Sequence, residues 1–439
     1  MSILVGVVSL GCTKNTVDTE QMLGILQGKG YELTHQPAKA DILVVNTCGF
    51  IKSAKEESID TILEMAKFKE AGRCRLLAVT GCLAQRYRDE LLSEIPEIDL
   101  LMGVNQYDKL AHAIDEAMAG ERPVYCASAS TFYEGERVLT TASFSAYIKT
   151  GDGCDNRCAY CAIPLIRGGY RSRPKEDILS EITELAKKGV REHILVAQDT
   201  SRYGTDWQSE PMLPALVEEA AAIPGVHWLR VLYCYPDTTG LPLLDTMAAL
   251  PNVCRYLDLP IQHISGRLLL KMNRRGSPDK IRDTLLMARE RGMALRTSII
   301  VGFPGETEAD FEELLRFTAE MEFDRLGAFA FSPEEDTPAA TMANQVPEGV
   351  KGERLHRLMT QQALISRKRN LARVGSCEEV LVTGREKGGY IGRSRWEAPD
   401  IDGQIHFAAK SILAPGRFVQ VNITDADTYD LMGVCHEPA

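Results

Sequence analysis

No stretch of the 439 residues carries the ~18 consecutive apolar side chains that a membrane span requires. The N-terminus lacks a basic segment ahead of its first apolar run, and Met1 to Leu10 is too short for a secretory leader. An excess of positive charge is also missing. Fifty Lys and Arg face 61 Asp and Glu, and the net charge of −11 disfavours a nucleic-acid polyanion as the main partner, while a local basic patch stays compatible with it. No paired catalytic carboxylates or nucleophilic triad stand out, and Gly302 to Glu306 lacks the Lys-Ser/Thr of a phosphate loop. Cysteine, by contrast, is plentiful. Twelve cysteines without an export signal argue against a disulfide framework and for a reducing, cytoplasmic setting with metal sites. With 44% hydrophobic and 25% charged residues, the composition is that of a globular chain, long enough for about three domains.

Three of the cysteines stand together in Gly153-Cys154-Asp155-Asn156-Arg157-Cys158-Ala159-Tyr160-Cys161, after the strand-like run Phe144 to Lys149. Three thiolates on one tight loop can ligate three irons of a cubane, whereas a ferredoxin supplies four. The open iron is then a place for a substrate or cofactor. A zinc site would call for a fourth ligand nearby, yet no Cys or His lies between Cys161 and His193. Three cysteines within eight residues cannot all pair as local disulfides.

Residues 3 to about 120 alternate short apolar runs (Ile3–Leu10, Ile42–Val45, Leu76–Val79) with helical patterns (Asn15–Gln27, Ser53–Lys67, Leu83–Leu92), the signature of parallel βαβ units. Cys12, Cys48 and Cys82 each follow one of these runs. Parallel strands align their carboxyl ends along one sheet edge, so three cysteines more than thirty residues apart converge there as candidate ligands of a second cluster. The competing reading makes each a small buried core residue. Cys74 and Cys126 lack that position and read as structural; Asn46 and Lys14 adjoin the ligands as possible donors or as turn residues.

The alternation continues through Phe144–Lys149, His193–Ala197, Trp228–Leu232, Arg255–Asp258, Leu295–Val301 and Leu326–Phe331, which predicts a partial (βα)6 barrel. Cys234 and Cys254 read as core thiols. Arg167 to Pro174 is a basic run, either a solvated surface or a substrate or domain contact. After a charged helix over Lys351–Val374, short β-prone runs broken by Gly and Pro predict a small β-barrel. Its 373–439 segment holds seven Lys and Arg against ten Asp and Glu, which suits a basic protein better than a phosphate backbone. Trp396, with Arg393 and Arg395, is a candidate recognition surface or a piece of the barrel core; Cys377 and Cys435 read as structural. The expected fold is therefore α/β, with an N-terminal parallel α/β sandwich over 1–125, a partial barrel over 140–372 and a small β-barrel over 373–439.

The three-cysteine loop resembles that of radical S-adenosylmethionine enzymes. The whole chain is similar to the methylthiotransferases of that superfamily, through Val8-Ser9-Leu10-Gly11-Cys12-Thr13-Lys14-Asn15, Asn46-Thr47-Cys48-Gly49-Phe50-Ile51, and Ala197-Gln198-Asp199-Thr200 with Tyr203-Gly204. Asp324-Arg325-Leu326-Gly327 and Ser332-Pro333-Glu334-Glu335-Asp336-Thr337-Pro338-Ala339 match as well, and the terminal barrel resembles a TRAM domain. Gln198-Asp199, in place of the Gln-Asn typical of tRNA-modifying relatives, points to the RimO type, which modifies an aspartate of small-subunit ribosomal protein twelve. Thr13 and Phe331 stand where Pro and Tyr are commoner in the family.

The resemblance implies two 4Fe-4S clusters, held by Cys12/Cys48/Cys82 and Cys154/Cys158/Cys161, and S-adenosyl-L-methionine contacted by Gln198, Gln262, Arg296 and Gly302. Each of these four can equally be read as a cap or turn residue. It further implies methylation of cluster-held sulfur, hydrogen abstraction from the aspartate β-carbon and joining of the two. A flavodoxin or ferredoxin would supply electrons, and the ribosomal protein would be met free or on the ribosome. A tRNA adenosine methylthiotransferase, and an iron–sulfur electron-transfer or scaffold protein, are the rival expectations.

Overall fold

The computed structural model describes residues 3–127, 132–133 and 135–436. The chain divides into two compact units, one formed by 1–140, 151–173 and 332–337 and the other by 141–150, 174–331 and 338–439.

The first unit is built on a six-stranded, wholly parallel sheet, ordered Glu32–Thr34, Leu4–Ser9, Ile42–Thr47, Leu76–Gly81, Leu100–Met102, Val124–Tyr125. Ile42–Thr47 and Leu76–Gly81 are buried at every position, which is why they read as unbroken apolar runs rather than alternating ones. One core lies around Val44, Ala78 and Met22, another around Val45, Val79 and Ile62, so both faces are covered. The predicted helix over Leu83–Leu92 is two short helices, Cys82–Arg86 and Arg88–Glu94, which meet at Tyr87. Glu32–Thr34, Leu100–Met102 and Val124–Tyr125 were not anticipated, and the first of them matters most. It places Leu4–Ser9 between Glu32–Thr34 and Ile42–Thr47, so the strand order reverses there. That switch point is where open α/β sheets bind ligands, beyond the carboxyl ends of the strands.

In the second unit six parallel strands follow chain order as an open arc. Ser145–Lys149, Glu192–Val196 and Trp228–Val231 form one ladder, Tyr256–Asp258, Ala294–Val301 and Arg325–Ala330 the other, and a Leu229–Val253 bridge joins the two. The expected partial barrel is therefore present. The helix Glu348–Leu371 leads to a closed five-stranded barrel of Cys377–Glu386, Gly389–Arg393, Ile405–Ala408, Leu431–Cys435 and Phe418–Ala426. Val380, Ile405, Phe407, Val421 and Leu431 fill it.

The small barrel meets the arc at the amino ends of its strands. Glu192, the first residue of its strand, accepts from Arg393 and from Arg230, while Tyr256, also a first residue, donates to Asp402 at 2.6 Å. Glu397 receives Arg325 at 3.1 Å and also Arg373. Arg393 is thus a buried ionic anchor and not part of a recognition surface. Trp396 stays half-exposed on the wall of a cavity of about 370 Å³ that Arg289 and Arg369 also line. Cys377, expected to be structural, is exposed, whereas Cys234 and Cys254 are buried as core thiols. Among the described residues no helix is long and apolar enough to cross a membrane.

Candidate iron–sulfur and cofactor site

Three glycines bring the first cysteine trio together. Gly11 adopts φ +95°, and a Cβ there would lie 2.9 Å from Cys48 Cβ and 3.2 Å from its Sγ. A Cβ on Gly49 would come within 2.9 Å of the Cys82–Leu83 backbone. The Cys12 turn therefore abuts Cys48, and the Cys48 turn abuts Cys82, at an approach only glycine allows. Cys12 and Cys48 follow the two strands that flank the switch point.

Buried amides fasten these turns. Asn15 Nδ2 donates to the carbonyls of Leu10 and Thr47, both at 2.9 Å, and Asn46 Nδ2 donates to Asn15 O at 3.0 Å and Thr19 Oγ1 at 2.8 Å. Ser58 Oγ accepts from Cys48 N and donates to Cys48 O, each at 3.0 Å. Asn46 is thus a brace between strand and helix. Gly81, at φ +93°, closes the third turn; a Cβ there would lie 2.4 Å from Asn46 Oδ1 and 2.6 Å from Thr47 O. Gly81→Ala is expected to cost roughly 1–3 kcal/mol in backbone strain alone, with the overlap on Asn46 adding to it. The shift of the urea midpoint of the cluster-free protein measures it, and an unchanged midpoint contradicts the tight turn.

Burial pushes the Cys82 thiol up to about 12; Arg167 opposes that rise while Cys12 and Cys48 add to it. Burial likewise raises Cys48. Cys12, densely surrounded yet keeping exposed surface, is also pushed up by burial, but Lys14, Arg167 and the amides of Asn15 and Lys14 outweigh this and leave it lowered. Cys12 raises Cys48, and both raise Cys82, so Cys48 and Cys82 are poor thiolates alone. A metal centre deprotonates coordinating thiols outright, so the donor set fits one. Among the described residues no three His, Cys, Asp or Glu side chains meet at the spacing of a single-ion site; a cubane instead carries each thiolate on its own iron.

The second trio lies in the same compact unit, between Gly151–Asp152 and the helix Ile163–Arg167. Cys154 N donates to Gly168 O and Cys161 N to Cys158 O, each at 3.0 Å, and Arg157 takes the left-handed φ of +49° to bend the loop. Cys12, Cys48 and Cys82 are free thiols. Ala162 and Ile166 pack on Cys82 and Val104, so the loop's helix rests against the third turn of the sheet.

One residue ties the two trios together. Arg167 Nη2 donates to Asn15 Oδ1 and Asp18 Oδ2, both at 2.8 Å, and approaches Cys82 Sγ at 3.6 Å; Nη1 donates to Asp152 at 3.0 and 3.2 Å. Its side chain is 1% exposed. Of the two readings of the basic run, Arg167 follows the contact one. The sequence signal that was missed lies on the helix Thr13–Gly28, where Asn15, Asp18 and Thr19 make a buried polar stripe.

The four residues that resemblance assigned to S-adenosylmethionine occupy the second unit. Gln198 follows Glu192–Val196 by two residues. Gln262, at φ +68°, pairs its backbone with Ser298 O and Ile300 N. Gly302, at φ +72°, follows Ala294–Val301, and its N–H donates to Glu306 at 2.7 Å; a Cβ there would overlap Lys351 Cγ at 2.3 Å. Glu306 is raised to about 7 by burial, against the pull of Arg354 and the two amides it accepts from. These three positions lie at carboxyl ends of strands. Arg296 lies five residues before the end of its strand, and its guanidinium is committed to Asp258 at 2.6 Å, with Asp402 at 4.0 Å.

Comparison with known proteins accords with this geometry. Residues 4–103 match the uncharacterized protein family UPF0004, 148–318 the radical SAM superfamily and 374–435 the TRAM domain. The chain is 51% identical to the ribosomal protein uS12 methylthiotransferase RimO of Pelotomaculum thermopropionicum, with 99% of both chains covered. It is 48% identical to that of Geobacter sulfurreducens, with 98% of both covered. Among solved structures, the radical S-adenosylmethionine methyltransferase TsrM from Kitasatospora setae, with tryptophan substrate and a SAM analogue bound, superposes at a TM-score of 0.58. At 16% identity over 77% of this chain and 75% of that one, the likeness speaks to fold alone. With half its residues shared over nearly its full length, the chain belongs to the family of ribosomal protein uS12 methylthiotransferases.

Proposed function

We propose that this protein inserts a methylthio group at the β-carbon of an aspartate of ribosomal protein uS12. Cys12, Cys48 and Cys82 would hold one 4Fe-4S cluster, and Cys154, Cys158 and Cys161 the other. Gln198, Gln262 and Gly302 would contact S-adenosylmethionine; Arg296 would act at a remove, by fixing Asp258. When bound, the clusters and S-adenosylmethionine supply the electron, the radical and the sulfur that the C–S bond requires. The β C–H bond is too unacidic for a side-chain base, which accounts for a site without a catalytic carboxylate. The protein's own part is positional. Asn15, Asn46 and Ser58 fix the three turns, Arg167 fixes the loop to them, and the buried ends of Ile42–Thr47 and Leu76–Gly81 exclude water.

The observation that carries this reading is the linkage of two thiol trios within one compact unit through Arg167. The acidic excess of the small barrel supports a protein substrate rather than RNA, and two of its seven cations, Arg373 and Arg393, are paired with Glu378, Glu397 and Glu192. We assign the electron donor to a flavodoxin or ferredoxin and the setting to the cytoplasm. Anaerobically prepared wild type should hold about eight irons, falling to about four in a Cys154/Cys158/Cys161 triple-alanine variant. Mass spectrometry of uS12 and of tRNA, each incubated with the holoenzyme, tests the substrate. Methylthiolation of tRNA alone would overturn it.

A further inference from the structure

The first unit carries a second surface, unused by the chemistry above. A groove of about 490 Å³ runs between the helices Lys52–Ala66 and Arg88–Glu94. Its walls are apolar: Ile59 and Leu63 from the first helix, Leu91 from the second with Ile95 just after it, and Leu83. Ile59 is 38% and Leu63 44% exposed, so large side chains face solvent along one line.

Its rim is acidic. Its charged lining residues are Lys52 and Lys55 against Glu56, Glu90, Glu94 and Glu335. Both rim lysines have partners: Lys55 pairs with Glu334 at 3.1 Å and Lys52 with Glu56 at 3.8 Å. The carboxylates of Glu90 and Glu94, one turn apart, make no hydrogen bond or ion pair with any described residue. The groove also has a direction. Leu83 directly follows Cys82, and Lys52 stands four residues after Cys48, so two of its lining residues adjoin the turns that carry these cysteines.

We propose that this groove holds a basic, apolar-anchored segment of the ribosomal protein substrate and delivers its aspartate toward the Cys48 and Cys82 turns. The inference rests on the function proposed above. A protein that lives against ribosomal RNA must carry excess Lys and Arg to neutralise phosphate. Uncompensated carboxylates around an apolar floor are the complementary surface: charge speeds and orients the encounter, and the buried apolar side chains hold it.

Two exposed double variants of the holoenzyme test this. Glu90→Lys/Glu94→Lys should raise the KM for the ribosomal protein about tenfold or more at low salt, an effect that shrinks as salt screens it. Ile59→Ser/Leu63→Ser should raise it by a similar factor at any salt. In both, kcat and the deoxyadenosine formed from S-adenosylmethionine without protein substrate should stay at wild-type levels. A KM unchanged in both variants overturns the proposal, and so does a parallel fall in substrate-free deoxyadenosine, which would make the helices structural. A wild-type dimer in sedimentation that Leu63→Ser abolishes would assign the groove to a second copy instead. Should the wild type leave the ribosomal protein unmodified, the function reading fails. Fluorescence anisotropy of that protein binding to wild type and variants still decides the groove.

Discussion

Arg167→Met is expected to destabilise the cluster-free protein by roughly 3–5 kcal/mol, the scale for removing one partner of a buried ion pair. Asp18 and Asp152 have fully buried side chains, and Arg167 is a cation that both carboxylates meet. Burial works against the charge on the guanidinium, but Asp152, Cys82 and Asp18 more than hold it and keep its pKa above the ordinary arginine value. Methionine fills similar space but takes the guanidinium away from two buried carboxylates, which keep the Tyr107 hydroxyl and the Gly153 amide as donors. Arg167→Lys should fall between wild type and Arg167→Met. A lysine keeps the charge, but its single ammonium cannot span Asp152 on one side and Asp18 with Asn15 on the other as a planar fork does. The urea midpoint of the metal-free protein reads the effect without a contribution from iron loss. If Arg167→Met unfolds at the wild-type midpoint, the buried network is not what joins the loop to the sheet. Adding Asp152→Asn to Arg167→Met should recover part of the loss, because one of the two buried charges that Arg167 met is then gone.

Much of this site was legible before any coordinates. Cysteines at the ends of three apolar runs follow from strand length and chain direction alone, and all three runs are strands ending within three residues of Cys12, Cys48 and Cys82. The six strands of the arc were each placed to within a residue at their starts, because Val, Ile and Leu runs between helical patterns leave little choice. What escaped was short or non-local. Glu32–Thr34 and Leu100–Met102 are three residues each, too brief to show a period of two, and without the former the switch point beside Cys12 and Cys48 is invisible. Leu431–Cys435, the strand that closes the small barrel, lies after Asp and Tyr residues that read as a loop. The Arg167–Asp18 pair spans 149 positions, and no local pattern foretells which arginine of a basic run turns inward. Arg393 failed for the same reason: its partner Glu192 lies 201 positions away.

That distant pair sets the second large effect. Glu192→Gln should cost roughly 3–5 kcal/mol, because Arg230 and Arg393 would be left buried against each other with no carboxylate between them. Ser145 Oγ, which donates to Glu192 at 2.9 Å, would keep an acceptor, but the amide would also turn a donor toward one guanidinium. The same carboxylate predicts the acid limb of the stability curve. Burial raises its pKa, yet Arg393 first and then Arg230 outweigh that and hold it at about 2, against an ordinary 4.5. A carboxyl held lower in the folded than in the unfolded chain adds stability that is complete above pH 4.5 and disappears as pH falls through about 2. A shift of that size amounts to about 3 kcal/mol. Glu397, held at about 2 by Arg373 and Arg325 against burial, titrates in the same window. Both groups fasten the small barrel to the amino ends of the arc, so acid should loosen that junction. Limited proteolysis and urea unfolding between pH 5 and pH 2 would follow it. In Glu192→Gln the pH slope should be shallower by about one proton, since Glu397 alone of the two remains. A slope equal to that of wild type would show that Glu192 is already protonated in the native protein, and that its two arginines are held by something other than its charge.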